Sequence, residues 1–331
     1  MVEDYDRESE EQNLQASWDE LDEDYLDTYL VSGVEDPRIN PQSILTRALL
    51  IDTLWPDEYS ELIDAELRFG AVLTWICRRI QADIRPPELL SQMPVEGACP
   101  EPIRRTFLRL RSADCPVPDY ISLALSELDQ GGSLAGAALE VFTGIWRARL
   151  EECEAEPISV LEPGCGSAND YRAIRSCGLP PFLRYAGYDI APANIRNARE
   201  RFPEVDFSVD SIMDSDVRDD GFDYSFVHDV FEHLSLEALE DALSEVLRTT
   251  REEAWLHFFN AEDREEHLVQ PTERYYRNLL SVPRLVESLE EQGAAVEVIY
   301  IPDLLESKFG LGECFHNQEA VTLLARPGAG S

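Results

Sequence analysis

Val160-Leu161-Glu162-Pro163-Gly164-Cys165-Gly166-Ser167-Ala168 decides how this chain is read. The apolar run Ile158 to Leu161 that feeds it reads as a buried parallel strand, and two glycines follow. Glycine tolerates positive φ and lets the backbone approach a ligand closely. A strand that turns there into a helix leaves helix N-terminal amides at the mouth of the sheet. Taken alone the turn is a weak signal, compatible with NAD, a phosphate or a structural bend.

Downstream of Pro157, strands and helices alternate, the pattern of a doubly wound α/β sheet. A second strand is expected at Tyr185 to Asp189, followed by a helix over Ala193 to Arg199. Val205 to Val209 and Asp223 to Val227 give the third and fourth, with a helix over Leu236 to Arg248. Trp255 to Phe259 is the fifth, and a helix near Pro283 to Gln292 precedes a sixth at Ala295 to Ile301. A long loop holding Gly310, Gly312 and His316 leads to the seventh, Val321 to Ala325. A final pair joined without a crossover helix predicts an antiparallel last strand. The fold class is therefore α/β: a seven-stranded doubly wound sheet with an antiparallel last strand, preceded by a helical N-terminal region.

Ligands of open α/β sheets sit at the carboxyl ends of the strands. Those ends read in order Glu162 before Gly164-Cys165-Gly166, Asp189-Ile190, Asp210-Ser211, and Val227-His228-Asp229-Val230-Phe231-Glu232-His233-Leu234. An acid at the end of the second strand can accept hydrogen bonds from both ribose hydroxyls of a nucleoside. A nicotinamide-dependent oxidoreductase would require glycine at Asn169 and does not predict the final antiparallel pair.

The acidic strand end with Gly-Cys-Gly resembles motif I of class I S-adenosylmethionine (SAM) dependent methyltransferases, and the resemblance extends over roughly Leu150 to Arg326. It implies SAM as cosubstrate. The glycine amides and Cys165 would line its amino acid portion, Glu162 would support the loop or the cosubstrate amine, and Asp210 sits where the family holds the adenine amine. Glu162, Gly164, Cys165, Gly166, Asp189, Ile190, Asp210, Ser211, His228 and Asp229 form the expected cosubstrate set. Glu-His-Leu at 232–234 is frequent beside the methyl group in small-molecule methyltransferases. The Asn/Asp-Pro-Pro-aromatic tetrapeptide of adenine-N6 methyltransferases is missing, which disfavours nucleic-acid amine methylation.

The reaction so implied is in-line displacement of the SAM methyl onto an oxygen or nitrogen. His228 is the candidate base, because imidazole titrates near neutrality, with cosubstrate packing as its alternative. Glu232 and His233 read as capping or supporting residues ahead of metal ligands. The insert Asn260 to Leu280, with His267, Glu273, Tyr275, Tyr276 and Asn278, lies where a substrate lid would sit. His228, His267 and Tyr276 are the catalytic candidates, and no metal ligands are assigned. The acceptor is expected to be a small molecule such as a sugar, a lipid precursor or a phenolic metabolite. Two alternatives stay open, a SAM-binding regulatory or assembly protein without turnover and a protein-directed methyltransferase.

The 331 residues hold 66 acidic against 28 basic side chains, a net charge of −38, and Lys308 is the only lysine. Carboxylates at this density need screening, with a Debye length of roughly 3 Å at 1 M salt. A salt-rich cytoplasm explains the excess, whereas a GC-rich genome explains only the missing lysine. Such a surface also disfavours a phosphate backbone as partner. No apolar run approaches the roughly 18 residues of a membrane span, and the acidic start Met1 to Asp6 resembles no targeting segment, so a cytoplasmic protein is expected. The seven cysteines have no C-x-x-C spacing. Cys99-Pro100 and Cys115-Pro116 resemble the nucleophile of cytosine-C5 methyltransferases, yet they precede the glycine turn and read as loops.

Residues 1–30 read as an acidic tail, disordered or loosely helical. Residues 31–132 form a helical region with amphipathic stretches at Ile44 to Ile51 and Tyr59 to Ile80, then short helices and proline-rich loops. That region is expected to cap the cleft. A SAM-binding domain spans 133–331, opening on a helix from Leu134 to Cys153.

Overall fold

The computed structural model describes residues 5–19, 36–82, 84–112 and 134–328. Cys115 and Gly131-Gly132 lie outside the described residues, as does the expected boundary at 132/133. Among the described residues six helices precede the sheet: α1 (Arg7–Asp19), α2 (Pro41–Leu54), α3 (Ser60–Gln81), α4 (Pro86–Gln92), α5 (Glu101–Ser112) and α6 (Leu134–Leu150). The remainder alternates as β1 (Ile158–Pro163), α7 (Asn169–Ser176), β2 (Leu183–Asp189), α8 (Pro192–Arg201), β3 (Asp206–Val209), β4 (Phe222–His228), α9 (Leu236–Thr249) and β5 (Thr250–Phe258). A short pair, β6 (Ala261–Glu262) and β7 (Leu280–Ser281), brackets the insert before α10 (Val282–Glu291), β8 (Ala295–Tyr300), α11 (Ile301–Phe309) and β9 (Val321–Arg326).

The main sheet has the order β3-β2-β1-β4-β5-β9-β8. Its first five strands are parallel, and β9 runs antiparallel to both β5 and β8. This is the class I methyltransferase-like arrangement. The expected seventh strand is β9, inserted between the fifth and sixth. One expectation fails: the connection from β8 to β9 contains α11. Pro302 occupies its first turn and Gly310, at φ 68°, stops it, so a helix of only nine residues is hidden in a stretch that reads as a loop. The helix still leaves the pair antiparallel.

Strand side chains alternate between faces, so each apolar pair feeds two layers. Val160, Phe226, Trp255 and Leu324 pack into one core, and their neighbours Leu161, Val227, Leu256 and Leu323 into the other. The second core is closed by Leu239, Leu243 and Val246 of α9. The first takes Leu50 and Ile51 of α2, Leu73 and Ile76 of α3, and Trp146 of α6. Each such side chain contributes roughly 1.5–3 kcal/mol on burial. The N-terminal helices therefore share a core with the sheet.

A buried polar knot fixes their docking. Arg47 on α2 pairs with Glu66 on α3 at 2.7 Å and donates to the carbonyls of Pro37 and Ser43, while Trp146 Nε1 donates to Glu66 Oε2 at 2.6 Å. The acidic stretch expected as disordered or loosely helical is helical over Arg7–Asp19 and docked. Glu10 accepts from the amide and hydroxyl of Ser235, the N-cap of α9, and the Tyr5 hydroxyl donates to Asp241. Among the described residues no helix is long and apolar enough to cross a membrane.

Candidate active site

The turn after β1 is built by conformations that ordinary side chains resist. Gly164 has φ +72°, and a Cβ there would stand 2.6 Å from Val230 Cγ2, so glycine lets the post-β4 loop close over the turn. Gly166, at φ +52°, donates its amide to Asp189 Oδ2 at 2.9 Å. Cys165 donates its amide to the Tyr188 carbonyl, and burial beside Glu162 pushes its thiol well above the ordinary range. That thiol is a packed group, not a nucleophile. Ala168 enters α7 without a side-chain cap, which leaves the first amides of that helix unsatisfied by the cap, and Asn169 and Asp170 of its first turn line the cavity.

A cavity of about 210 Å³ opens beside this turn at the carboxyl ends of the strands. Glu162, Gly164, Cys165, Gly166, Asp189, Ile190, Asp210, His228 and Asp229 all line it. Ser211 does not: its amide donates to Asp210 Oδ1 and its hydroxyl accepts from Met213 N, so it braces Asp210 from behind. Asp189 is nearly buried. Its Oδ1 accepts from Ala191 N at 2.8 Å and Asn194 Nδ2 at 3.1 Å, and its Oδ2 from Gly166 N. A carboxylate has about four acceptor positions, so one remains open where the sequence led us to expect two hydroxyl partners. Burial raises the carboxyl above its usual range, and the three donors oppose that. Glu162 accepts from the Tyr185 hydroxyl; burial, with Asp170 and Asp189 nearby, holds it well above the ordinary value.

The other wall comes from the N-terminal region, which sequence reasoning assigned only a general capping role. Pro37, Asn40, Gln42 and Ser43 line the cavity, and Leu14 of α1 covers it. Asn40 caps α2 by accepting from Gln42 N, with Pro41 in the first turn. Gln42 Nε2 donates to the carbonyls of Phe258 and Val321, each at 3.1 Å, and so seals the ends of β5 and β9. The Asn-Pro pair was the available signal for this start, but nothing local marks Ser43 or Thr46 as site residues.

His228 ends β4 in the cavity wall. Its Nδ1 lies 3.3 Å from Ser43 Oγ and 3.4 Å from Asp170 Oδ1, and its Nε2 lies 2.8 Å from Thr46 Oγ1. Burial lowers its basicity, Asp170 raises it, and Arg47 lowers it further. The next residue, Asp229, takes φ 54°, a rare conformation for a residue with a side chain, and its amide donates to the His257 carbonyl.

The two other catalytic candidates lie elsewhere. His267 is outside the cavity lining; its Nδ1 accepts from Ser281 N at 3.0 Å, which ties the insert to the start of α10. Tyr276 is also outside it and acts through its backbone, its carbonyl 3.0 Å from His233 Nδ1. The insert folds back on the post-β4 segment, of which Asp229, Val230, His233 and Leu234 line the cavity. Glu232 is fully buried and spends Oε1 on the amides of Phe259 and Asn260, at 2.7 and 3.2 Å. It is a latch.

Among the described residues the cavity is lined by five carboxylates, Glu162, Asp170, Asp189, Asp210 and Asp229, with no arginine or lysine. That acceptor set, with a glycine turn offering amides, fits a ligand that carries a cationic sulfonium, an ammonium and nucleoside hydroxyls. Residues 160–253 match a family model described as a methyltransferase domain. No curated protein sequence matches the chain. Similar solved structures include a SAM-dependent methyltransferase from Methanosarcina mazei, 14% identical, covering 55% of this chain and 98% of that one with a TM-score of 0.42. A 1,6-didemethyltoxoflavin-N1-methyltransferase from Burkholderia thailandensis is 17% identical, with coverage of 64% and 86% and a TM-score of 0.40. A geranyl diphosphate C-methyltransferase from Streptomyces coelicolor is 12% identical, with coverage of 59% and 80% and a TM-score of 0.39. Likenesses of this degree carry no inference about the acceptor.

Proposed function

We propose that this chain, which carries a class I SAM-dependent methyltransferase domain, methylates an oxygen or nitrogen of a small neutral or cationic molecule. SAM supplies a methyl group on an electrophilic sulfonium, so the task of the protein is to align, desolvate and hold. In this reading the turn amides at Gly164 to Gly166 receive the amino acid end. Asp189 accepts one ribose hydroxyl with its remaining acceptor position, and Asp210 faces the adenine amine. Ile190 supplies an apolar surface beside the base. Glu162, buried against Tyr185, supports the loop. Asp170, His228, Ser43, Gln42 and Asn40 form the wall on the acceptor side.

The observation that carries the acceptor class is the charge of the lining: five carboxyl side chains and no arginine or lysine among the described residues. A unit negative charge about 4 Å from one ionised carboxylate costs roughly 4 kcal/mol at an effective dielectric of about 20. A phosphorylated or carboxylate acceptor would meet Asp170 on the acceptor wall with no arginine or lysine among the lining residues. A hydroxyl or an amine meets hydrogen-bond acceptors instead. Docked α1 and the α2 N-terminus limit the space, which favours a small acceptor over a protein chain.

The test is transfer of labelled methyl from SAM into a fractionated host extract, with Asp189→Ala as control. Label in a low-mass neutral or basic product is the expected result. Label confined to protein would favour a protein-directed enzyme, and calorimetric SAM binding without any transfer would favour a binding protein. Undiminished SAM affinity in Asp189→Ala would overturn the ribose assignment.

A further inference from the structure

His228 is one end of a line of buried polar side chains. His257 on β5 is its register partner, fully buried, with the ring centroids 4.1 Å apart. Thr46 Oγ1 stands between the rings, 2.8 Å from Nε2 of each. On the inner side His257 Nδ1 lies 2.8 Å from Thr322 Oγ1, and on the outer side His228 Nδ1 faces Ser43 and Asp170. Ser43 and Asp170 line the cavity, whereas Thr46, His257 and Thr322 lie behind it. Nδ1 is therefore the cavity-side nitrogen of His228.

We propose that this line has a single direction, in which Thr46 and His257 act as positioning residues that keep the proton of His228 on Nδ1, so that the imidazole meets an acceptor as a hydrogen-bond donor rather than as a base. The inference rests on the reading of the cavity as a methyl-transfer site.

The argument is proton bookkeeping. A neutral imidazole has one N–H and one lone pair. Burial keeps both rings neutral, most strongly His257, where the neighbouring His228 acts in the same sense. The groups facing His228 are Asp170 from α7, Arg47 from α2 and His257 from β5. Among the described residues the hydrogen-bond partner of the Thr322 hydroxyl is His257 Nδ1. A buried hydroxyl with this one partner leaves its proton unsatisfied unless it donates, so Thr322 donates, His257 accepts on Nδ1, and the proton of His257 sits on Nε2. Thr46 accepts that proton. Its own proton can go to His228 Nε2 at 2.8 Å or to the Gln42 carbonyl at 3.3 Å, and the shorter contact is the stronger bond. His228 Nε2 is then an acceptor, and its proton lies on Nδ1, toward Ser43 and Asp170.

A turn of the Thr46 hydroxyl toward Gln42 would reverse the assignment and restore a basic Nδ1. Among the cavity groups beside Nδ1, Asp170 keeps open lone pairs in the proposed state. The tautomer of His228 thus depends on a hydroxyl that touches neither cosubstrate nor acceptor.

The test is long-range proton–nitrogen correlation on the full chain labelled with nitrogen-15 in histidine, recorded without SAM, with His228→Gln to identify the signals. The expected spectrum has His228 with a pyrrole-type Nδ1 and a pyridine-type Nε2, and His257 with the opposite pattern. A pyrrole-type Nε2 on His228, or an imidazolium at neutral pH, overturns the proposal. Thr46→Val should erase the preference and give averaged His228 shifts, and Thr46→Ser should keep the wild-type pattern. An unchanged pattern in Thr46→Val refutes the positioning role. Should Thr46→Val not fold, the wild-type spectrum and Thr46→Ser still decide. Failure here leaves the methyl-transfer reading to its own assay, since neither SAM nor acceptor is present.

Discussion

Glu232→Gln should change how the stability of this protein responds to pH. Glu232 is fully buried, its Oε1 holds two strand-end amides, and its Oε2 has no hydrogen-bond partner. Burial raises its carboxyl from the ordinary value of 4.5 to about 7, against the opposing pull of the backbone amides. The folded state therefore holds this proton more tightly than the unfolded chain. Below the unfolded value both states are protonated and the residue is neutral to stability. As pH rises through the window from 4.5 to about 7, stability is lost, because the unfolded chain ionises first. At 1.36 kcal/mol per unit, the penalty grows from about 1 kcal/mol near pH 5 to about 3 kcal/mol near pH 8. Glutamine keeps the acceptor for both amides and cannot ionise. Urea unfolding of wild type and Glu232→Gln at the two pH values, in fixed salt, should give a double difference of about 2 to 3 kcal/mol. Parallel pH profiles would refute the reasoning, whatever the absolute stability of the variant.

Three further outcomes are expected. Gly164→Ala must place a side chain at φ +72° and 2.6 Å from Val230 Cγ2, which should lower the melting temperature and weaken SAM binding in calorimetry; a variant with wild-type values in both would remove the packing argument for this glycine. Glu66→Ala strands the guanidinium of Arg47 in the core beside a freed Trp146 N–H, and chemical denaturation should register a loss of about 3–5 kcal/mol. Raising KCl from about 0.1 to 2 M should raise the melting temperature, because the net charge of −38 is then screened; a melt indifferent to salt would sink the salt-adaptation reading.

The sheet was legible because its strands are short apolar runs between turn residues, and the first four have an acid or a histidine at the carboxyl end. Asp189, Asp210 and His228 could be placed at a common edge from that pattern alone, since strand ends in a parallel sheet converge. The partners of those residues were not legible. Ser43 and Thr46 are ordinary polar positions on a helix whose contacts lie 182 to 211 positions away, and no local spacing encodes such a distance. His257 reads as one more residue of a core strand. The helix α11 was hidden because it is brief and bounded by Pro302 and Gly310. His267 and Tyr276 look chemically apt, but the insert turns them toward α10 and the post-β4 segment, where hydrogen bonding of the backbone uses them.

Gln42 bridges two carbonyls on neighbouring antiparallel strands, Phe258 of β5 and Val321 of β9. For anyone cutting the gene, this makes the apparent modular boundary misleading. A fragment beginning after residue 132 would keep every residue of the glycine turn and every strand. It would nonetheless lose the amide that closes β5 and β9, along with the hydroxyl between two histidines. Such a fragment would be a cosubstrate half-site with an open rear wall. The unit that can be expressed, evolved or transplanted for catalysis thus starts at least as early as Asn40, well before the segment that resembles a methyltransferase begins.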